Sequence, residues 1–534
     1  MNIPTTIAAT ALSVAGLTTT AATEAEAQTF IGRQNIELKS DLMTPEALWA
    51  MGRIGSVSIN QAGTKAVYSV SYYSVKENKS HSVLYLLDIK NKKSQQLTTS
   101  AKSESGAVWV RFGNEERIVF LSSESGSSQL WTMKADGSER KQITHEEDDV
   151  VDFLFAPNGK RVILVKEVPQ HTAIAPKEAD LPKATGMVIN DLMYKHWDQY
   201  VTSAPHPFLA EFDGERVTVA KDLLEGEPFE SPMMPFGGNE QLAWSPNSAQ
   251  VAYTCRKKVG RDYATSTDSD IFLYDIPSGT TRNLCKPEGW TAPTSIDYTK
   301  SLQHQAVNQS KVDANVGYDI NPQFSPDGKC VAWSSMERDG YESDLKRLFV
   351  ADLATGKRTH VNPTFDYNVD MIQWAPDSKG IYFLACKEAE TNLWEITLKT
   401  GKIRQITQGQ HDYADFSVRN DVMLAKRHSF ELPDDLYRVN LKNGAAQAVT
   451  TENKAILDRL TPITCEKRWM KTTDGGNMLT WVVLPPNFDK NKKYPAILYC
   501  QGGPQNTVSQ FWSFRWNLRL MAEQGYIVIA PNRH

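Results

Sequence analysis

The sequence has no apolar run that approaches the roughly 20 residues needed to cross a membrane as a helix. It also has no segment rich in Lys and Arg, and its 58 basic and 63 acidic residues leave a net charge of −5 at pH 7. A chain without a basic patch has little with which to hold a phosphate backbone. We therefore expect a protein with no membrane span and no nucleic-acid partner.

Cysteine is scarce, and the spacings of metal ligands are missing. The six cysteines are scattered without a C-x-x-C pair, and the sequence cannot decide their pairing. Three of them, Cys255, Cys386 and Cys500, end apolar runs, which favours buried free thiols. His145 has no second histidine four residues later, so it does not begin a zinc motif. We expect no metal and no other cofactor.

The chain does have ample material for packed cores. Its 534 residues are 40% hydrophobic and 10% aromatic. This length exceeds that of one ordinary domain, so two or more folded units are expected.

The first 27 residues have features of an export signal. Residues 7–17 are mostly small and apolar, and Ala25-Glu26-Ala27 fits a cleavage site before Gln28. No Lys or Arg precedes the apolar stretch, so a disordered tail of small residues is an open alternative. We assign residues 1–27 as a signal peptide and expect a periplasmic or secreted protein.

Residues 28–51 are assigned as a lead-in with a short helix. Thr44 is followed directly by Pro45. A threonine hydroxyl can accept a hydrogen bond from a free N–H of the first turn, and proline is favoured at the first helical position. Thr44 is therefore the expected N-cap.

From about Gly52 to Thr451 a two-part pattern recurs seven times. Its first part is an aromatic or apolar residue, then a small residue and a polar turn, then a β-rich run. Proline fixes one backbone angle of such a turn, and Asp, Asn or Gly accept the left-handed conformation, so each copy predicts a hairpin. The copies lie at residues 59–63, 112–114, 155–160, 244–248, 324–329, 374–379 and 416–420.

The second part of each repeat is another apolar strand followed by a polar turn. Several repeats end in a threonine that follows an apolar residue, at Thr98, Thr144, Thr407 and Thr450. Two hairpins per repeat make a four-stranded sheet, so the sequence predicts a seven-bladed β-propeller over residues 52–455. A β-sandwich also uses short strands but would not repeat one turn chemistry seven times.

The pattern changes after residue 455. A hairpin turn at 469–476 and a strand at 479–486 precede two apolar strands, at 496–500 and 526–530, which flank a helical stretch at 511–524. Continuous apolar strands separated by a helix predict a parallel sheet. Gly502-Gly503 follows the first of them, where α/β-hydrolases form part of an oxyanion hole. The predicted fold is thus multidomain, an all-β seven-bladed propeller followed by an incomplete α/β-hydrolase domain at residues 456–534.

In these features the chain resembles the prolyl oligopeptidase family of serine peptidases. The most specific motifs are Lys493-Tyr494-Pro495, Gly502-Gly503-Pro504 and Asn532-Arg533. Residues 192–198, 206–208 and 501–505 are most similar to the dipeptidyl-peptidase V branch. The resemblance implies a propeller that covers an α/β-hydrolase domain, and a peptidase that cuts short peptides through an acyl-enzyme.

The resemblance also places an oxyanion region at Gln501, Gly502 and Gly503. Many relatives carry His or Tyr where this chain has Gln501, which leaves open whether a side chain or only backbone N–H groups bind the oxyanion. No G-x-S-x-G motif occurs in the sequence. In α/β-hydrolases the catalytic Ser, acid and His follow this part of the sheet, so we expect all three beyond His534 and expect this chain to be inactive alone.

An enzyme that releases dipeptides also needs a carboxylate to hold the α-amine of its substrate. Glu146, in an acidic run at 146–149, and Asp198 are weak candidates, and Trp197 is a candidate for lining a substrate pocket. An acidic run usually faces water, and a tryptophan in an amphipathic strand usually packs against other side chains. A solvated loop for the acidic run and a packing role for Trp197 are therefore the open alternatives to substrate binding. Short peptides are the expected partners, and a homodimer is left open.

Two other classes of function compete with a peptidase. A non-catalytic propeller that binds partners as a scaffold would suit the seven repeats, but it has no need of part of a hydrolase domain. An esterase or lipase is disfavoured because a propeller would restrict the access of bulky lipids.

Overall fold

The computed structural model describes residues 30–170, 174–175, 188–189, 201–287, 315–502 and 506–533. In this part of the chain, seven four-stranded antiparallel sheets succeed one another, and a mixed four-stranded sheet follows them. Each of the seven pairs its strands in chain order, so every sheet is a meander. Within the described ranges, no helix is long and apolar enough to cross a membrane.

The strands of the first three sheets are β1 (Arg53–Ile59), β2 (Lys65–Ser74), β3 (Lys79–Asp88) and β4 (Lys93–Gln96), then β5 (Glu104–Phe112), β6 (Glu115–Ser122), β7 (Gln129–Met133) and β8 (Lys141–Gln142), then β9 (Val150–Phe155), β10 (Arg161–Pro169), β13 (Ser203–Phe212) and β14 (Val217–Asp222). A two-stranded ladder of β11 (Ile174–Ala175) and β12 (Val188–Ile189) lies between β10 and β13 in sequence.

The strands of the fourth to seventh sheets are β15 (Leu242–Trp244), β16 (Gln250–Cys255), β17 (Asp270–Asp275) and β18 (Thr280–Asn283), then β19 (Asp319–Phe324), β20 (Cys330–Ser335), β21 (Arg347–Asp352) and β22 (Arg358–His360), then β23 (Asp370–Trp374), β24 (Gly380–Lys387), β25 (Glu390–Thr397) and β26 (Lys402–Gln405), then β27 (Asp412–Arg419), β28 (Val422–His428), β29 (Asp435–Val439) and β30 (Ala446–Ala448). The helices are α1 (Pro45–Ala50), α2 (Arg261–Thr265), α3 (Lys454–Leu457) and α4 (Leu518–Glu523), with a 3-10 turn at Asn239–Gln241.

The first hairpin of each sheet lies at the turn that the repeat predicts. Between β9 and β10, the N–H of Gly159 donates to the Ala156 carbonyl at 2.9 Å, and Gly159 has a φ of +67°. Asn158 accepts the N–H of Lys160 at 2.9 Å. Ser248 and Ser378 occupy the equivalent left-handed position in two other sheets. The local chemistry of the turn is therefore enough to start each sheet.

The threonines that end several repeats close the fourth strand onto the third. In six of the described sheets, a side chain accepts the backbone N–H of the residue 14 positions earlier on the third strand. The acceptor is threonine in four sheets, Cys285 in the fourth sheet and Asn362 in the fifth. The hydroxyl of Thr407 also donates to Asn392 at 2.9 Å. This side chain thus satisfies a buried donor that the short fourth strand leaves unpaired.

We predict that Thr407→Val lowers the free energy of unfolding by about 2 kcal/mol, because two buried hydrogen-bonding groups lose their partner at nearly constant volume. The exposed Thr359 on β22 is the control, and Thr359→Val should change stability by less than about 0.5 kcal/mol. Urea unfolding followed by circular dichroism measures both. Equal stabilities for the two variants would contradict the role given to Thr407.

The seven sheets form a ring with a hydrophobic core between each pair of neighbours. Six clusters join successive sheets from the first to the seventh. A further cluster contains Tyr68 and Leu87 of the first sheet together with Leu424 and Leu436 of the seventh. The arrangement is that of a β-propeller, in which each sheet buries both of its faces.

The seam between the first and seventh sheets is made by side chains, since no strand is shared between them. Glu452 is buried at this seam and accepts hydrogen bonds from Arg33 at 2.6 Å and from the hydroxyl of Tyr72 at 2.7 Å. The amide of Asn420 donates to the carbonyl of Gln61 at 3.0 Å. The lead-in segment, through Arg33, therefore takes part in closing the ring.

The lead-in also contains the predicted helix. Thr44 accepts the N–H of Ala47 at 3.2 Å, and Pro45 begins α1, which confirms both assignments. Buried residues of α1 pack with Ile456 of α3 and with Trp512 and Phe514 of the following region.

The final sheet consists of β31 (Thr464–Lys471), β32 (Asn477–Leu484), β33 (Ala496–Leu498) and β34 (Ile527–Pro531), in the order β31-β32-β34-β33. The β33–β34 pair is parallel, which confirms the parallel pairing predicted for these two strands, whereas the β31–β32 and β32–β34 pairs are antiparallel. The predicted strand at 479–486 corresponds to β32. It pairs with β31 because a single tight turn joins the two strands.

The helix predicted at 511–524 is much shorter in the structure. It spans only Leu518–Glu523, and Asn517 caps it by accepting the N–H of Leu520 at 2.8 Å. Before it, the Ser513 hydroxyl accepts the N–H groups of Arg515 and Trp516. Side chains that bind nearby backbone N–H groups replace helical hydrogen bonds, which explains why the apolar spacing alone overestimated the helix.

The region after the seventh sheet, residues 456–533, is the hydrolase-like region, and it docks on one end of the propeller. Phe430, in the turn between β28 and β29, packs edge-on against Trp481 and Phe511 of the hydrolase-like region. Gln410 donates to the carbonyl of Cys465 at 3.1 Å, and Lys467 pairs with Glu388 at 3.2 Å. In the sixth and seventh sheets, the turn between the second and third strands therefore faces the hydrolase-like region.

Candidate active-site region

The turn that follows β33 lies at the carboxyl end of the parallel pair. Ala496, Ile497 and Leu498 pair with Ile527, Val528 and Ile529, and the N–H of Tyr499 continues the ladder to the Ile529 carbonyl at 2.8 Å. The carboxyl ends of β33 and β34 are therefore adjacent. In α/β sheets this edge is where ligands bind.

Two residues after β34 hold this turn in place. Asn532 accepts the N–H of Val508 at 2.8 Å and donates to the Val508 carbonyl at 3.2 Å. The indole of Trp481 donates to the same carbonyl at 3.0 Å. Arg533 donates to the Gly502 carbonyl at 3.2 Å. The sequence had marked Asn532-Arg533 only as a family motif, whereas the structure gives both residues an anchoring contact.

The predicted oxyanion residues Gln501 and Gly502 lie in this turn, and Gly503 lies outside the described residues. Gly502 is exposed, lacks a positive φ, and has open space where a side chain would project. Neither backbone conformation nor packing thus requires glycine there. Its effect is to leave the backbone open to an approaching group.

The side chain of Gln501 is held locally. The Tyr499 hydroxyl donates to the Gln501 amide oxygen at 2.9 Å. This contact occupies the amide oxygen and leaves the NH₂ group as a donor for other partners.

Glu146, the candidate for binding a substrate amine, already has a cation. Its carboxylate accepts from the Lys166 ammonium at 2.5 Å, and both side chains are mostly buried. Lys166 also lies 4.6 Å from the ring centroid of Phe208. The Glu146 charge is therefore compensated inside the protein. Trp197 and Asp198, the other candidates, lie outside the described residues.

A second acidic group lies between the fourth and fifth sheets. Ligand atoms of Asp270, Cys285 and Asp319 lie within 4.8 Å of one another. The Lys286 ammonium contacts Asp270 and lies 2.6 Å from Asp268. Burial raises the pKa of Asp319 to about 7. A lysine already provides positive charge to this cluster, so the residues here act as a buried ion network.

All six cysteines are unpaired. Of the three that were expected to be buried, one is buried and a second is mostly covered. Cys255 is buried, which raises the pKa of its thiol, and Cys386 is mostly covered, which raises its thiol pKa to about 11. Cys500 is exposed, so that expectation was wrong. Cys500 follows β33, which lies at an edge of its sheet, and an edge strand leaves one side uncovered.

No protein-family model matches the chain. Among curated proteins, dipeptidyl-peptidase 5 of Porphyromonas gingivalis is 61% identical over 492 residues, covering 92% of this chain and 68% of that protein. Dipeptidyl-peptidase 5 of Porphyromonas endodontalis is 45% identical over 496 residues, with coverages of 93% and 68%.

The chain belongs to the prolyl oligopeptidase family. Within that family its relatives are dipeptidyl-peptidases 5, which are hydrolases acting as peptidases. The chain spans about two thirds of the length of these relatives.

Solved structures of prolyl oligopeptidase relatives share the fold at low identity. The acylaminoacyl peptidase of Pyrococcus horikoshii has a TM-score of 0.66 at 15% identity, over 91% of this chain and 66% of its own. A puromycin-hydrolyzing peptidase of Mycobacterium tuberculosis has a TM-score of 0.62 at 12% identity, with coverages of 95% and 69%. These structures support the propeller and hydrolase architecture.

Proposed function

We propose that this chain is the propeller and the first part of the hydrolase domain of a serine peptidase that releases dipeptides or short peptides. The observation that carries the proposal is the open Gly502 turn at the carboxyl end of the β33–β34 pair. An α/β-hydrolase needs backbone N–H groups at this place to bind the oxyanion of an acyl-transfer intermediate. The identity of the chain with dipeptidyl-peptidases 5 supports the substrate class.

In this mechanism the turn around Gly502 contributes electrostatic stabilisation. As a nucleophile attacks the peptide carbonyl, the oxygen gains negative charge, and backbone N–H donors held at hydrogen-bonding distance stabilise it. Asn532 and Arg533 would keep the donors in place, since they fix both sides of the turn. A serine with a histidine base and an acidic residue would supply the covalent chemistry, and none of these three can be assigned in this sequence.

The seven sheets would act as seven blades that cover the catalytic domain. The second-to-third-strand turns of the sixth and seventh sheets face the hydrolase-like region, so a peptide would reach the Gly502 turn between the two parts. A narrow entrance of this kind would select short substrates. Export through the N-terminal signal, and assembly as a homodimer, are further parts of the proposal.

We predict that residues 28–534 alone do not hydrolyse a dipeptidyl-coumarin reporter, because the sequence contains no G-x-S-x-G nucleophile motif. The matching test is to read the coding DNA past the His534 codon and to express the longer product. The proposal requires an elbow with Ser, followed by Asp and His, and turnover of the reporter by that product.

Two results would contradict the proposal. Turnover by residues 28–534 would place the nucleophile elsewhere in this chain. A stop codon directly after His534 would favour the alternative function, a non-catalytic propeller that binds partners as a scaffold.

A further inference from the structure

A cavity of about 250 Å³ lies where the seventh sheet meets the hydrolase-like region. One wall comes from the ends of β27 and β28 and the following turn, with His411, Arg427 and Glu431. The other comes from Cys465 on β31 and from Gln510. The cavity thus opens at the same propeller end that receives the hydrolase-like region, but it is distinct from the Gly502 turn.

Arg427 brings an unneutralised positive charge to this cavity. Its guanidinium stacks over the ring of Tyr437, with the central carbon 3.6 Å from the ring centroid. It forms no ion pair with a carboxylate in the part of the chain that the structure describes. Stacking fixes the plane of the guanidinium and leaves its edge available for two parallel hydrogen bonds to a carboxylate.

Glu431 brings the opposite charge to the same cavity. Its backbone is fixed, since its carbonyl accepts from Arg519 at 2.7 Å and its N–H donates to Ser429 at 3.1 Å. Its carboxylate pairs with no cation among the described residues, and partial burial raises its pKa. The charge of Arg519 also acts on Glu431 and lowers its pKa, but Arg519 is already paired with Glu523 at 2.5 Å.

The two histidines of the cavity do not neutralise either charge. Nδ1 of His428 lies 2.8 Å from the Asp434 carboxylate. Burial, together with the charges of Arg427 and His428, lowers the pKa of His411 to about 4, so its ring is neutral at pH 7. Nε2 of His411 is buried and has no hydrogen-bond partner among the described residues.

We propose that this cavity binds a small zwitterion, a free dipeptide or amino acid, with its carboxylate on Arg427 and its ammonium on Glu431. Arg427 and Glu431 line one cavity without pairing with each other, so their ideal ligand carries both charges at a distance from one another. A simple anion would leave the charge of Glu431 uncompensated. An uncharged ligand would leave the charges of both Arg427 and Glu431 uncompensated. No bond is made or broken in this step.

The inference deepens the proposed function, since dipeptides would be the products of the peptidase, but it rests on the cavity alone. Binding is measured on this chain and needs no nucleophile, whereas the peptidase proposal is tested by turnover of the longer product. Failure of one is therefore distinguishable from failure of the other.

The test is isothermal titration of the whole chain with Ala-Ala, alanine, N-acetyl-Ala-Ala and Ala-Ala amide. We expect saturable binding of at least one of the two uncapped ligands, and the tighter of them identifies dipeptide or amino acid. Capping either end should weaken binding at least about tenfold, because one charge loses its partner. No saturable binding up to about 10 mM, or equal binding of a capped ligand, would overturn the proposal.

Two variants assign the charges. Glu431→Gln should abolish the preference for a free amine, so that N-acetyl-Ala-Ala binds as well as Ala-Ala. Arg427→Gln should abolish the preference for a free carboxylate. Arg438→Gln removes an exposed arginine of β29 outside the cavity and should keep both preferences. If either cavity variant retains both preferences, the assignment is wrong, and unfolding midpoints without ligand show whether each variant is folded.

Discussion

Replacing Arg519 with leucine should lower the free energy of unfolding by about 3–5 kcal/mol. Arg519 and Glu523 form an ion pair at 2.5 Å on consecutive turns of α4, with only 4% and 0% of their side chains exposed. Arg519 also donates to the carbonyl of Thr461 at 3.2 Å, and Glu523 accepts the N–H of Met43. The variant leaves a buried carboxylate without its cation and removes the hydrogen bonds from Arg519 to the carbonyls of Thr461 and Glu431. Urea unfolding measures the loss.

The chain provides a matched control for this ion pair. Lys454 and Asp458 have the same spacing of four residues, but their side chains are 62% and 56% exposed. Lys454→Met should change stability by no more than about 0.5 kcal/mol, because water screens an exposed pair. The double variant Arg519→Leu with Glu523→Leu should recover a large part of the loss, since it removes the unpaired charge. A single variant as stable as the control would refute the role of burial.

The second large effect is expected at Gly444, in the turn between β29 and β30. Gly444 has a φ of +73°, and a Cβ there would overlap the carbonyl oxygen of Ile406 in the neighbouring sheet. Gly444→Ala should therefore cost about 3 kcal/mol, from left-handed strain together with displacement of the neighbouring backbone. The midpoint of urea unfolding measures the cost.

Gly356 separates these two contributions. It occupies the equivalent turn between β21 and β22, has a φ of +71°, and has open space where a Cβ would lie. Gly356→Ala should cost only about 1 kcal/mol, since strain is its single penalty. Equal losses at Gly444 and Gly356 would mean that the contact between the sixth and seventh sheets does not constrain this turn.

The repeating sheets could be predicted from sequence because their information is local. The turn at Gly159 and its equivalents at Ser248 and Ser378 use a left-handed residue and a side-chain acceptor within a few positions. A pattern of that kind repeats in sequence whenever it repeats in space. The threonines that end the repeats could be recognised in the sequence for the same reason. The backbone N–H that each of them binds, 14 residues earlier, could not.

The candidate site was less predictable because its partners are distant in sequence. Glu146 looked available to a substrate until the fold brought Lys166 to it. The opposite holds for Arg427 and Glu431. They are four residues apart in sequence yet form no ion pair, because Arg427 lies in the strand β28 and Glu431 in the turn that follows it. Nothing in their spacing indicates a shared cavity.

Side-chain competition accounts for the helix that was drawn too long. The apolar spacing at 511–524 fits a helical face, but Ser513 and Asn517 bind backbone N–H groups of the residues that follow them. A capping residue inside an apolar pattern therefore marks a boundary that periodicity alone does not show.

The side-chain seam between the first and seventh sheets has a consequence for folding during synthesis. Each of the seven sheets pairs its own four strands in chain order, so it can form soon after its own segment leaves the ribosome. The contacts between Arg33 and Glu452 join residues 419 positions apart and must wait until the seventh sheet has been synthesised. Until then, the first sheet presents Tyr68 and Leu87 without their final partners. The nascent ring is thus an open stack with one apolar end for most of translation, and that end is the surface on which a chaperone would act.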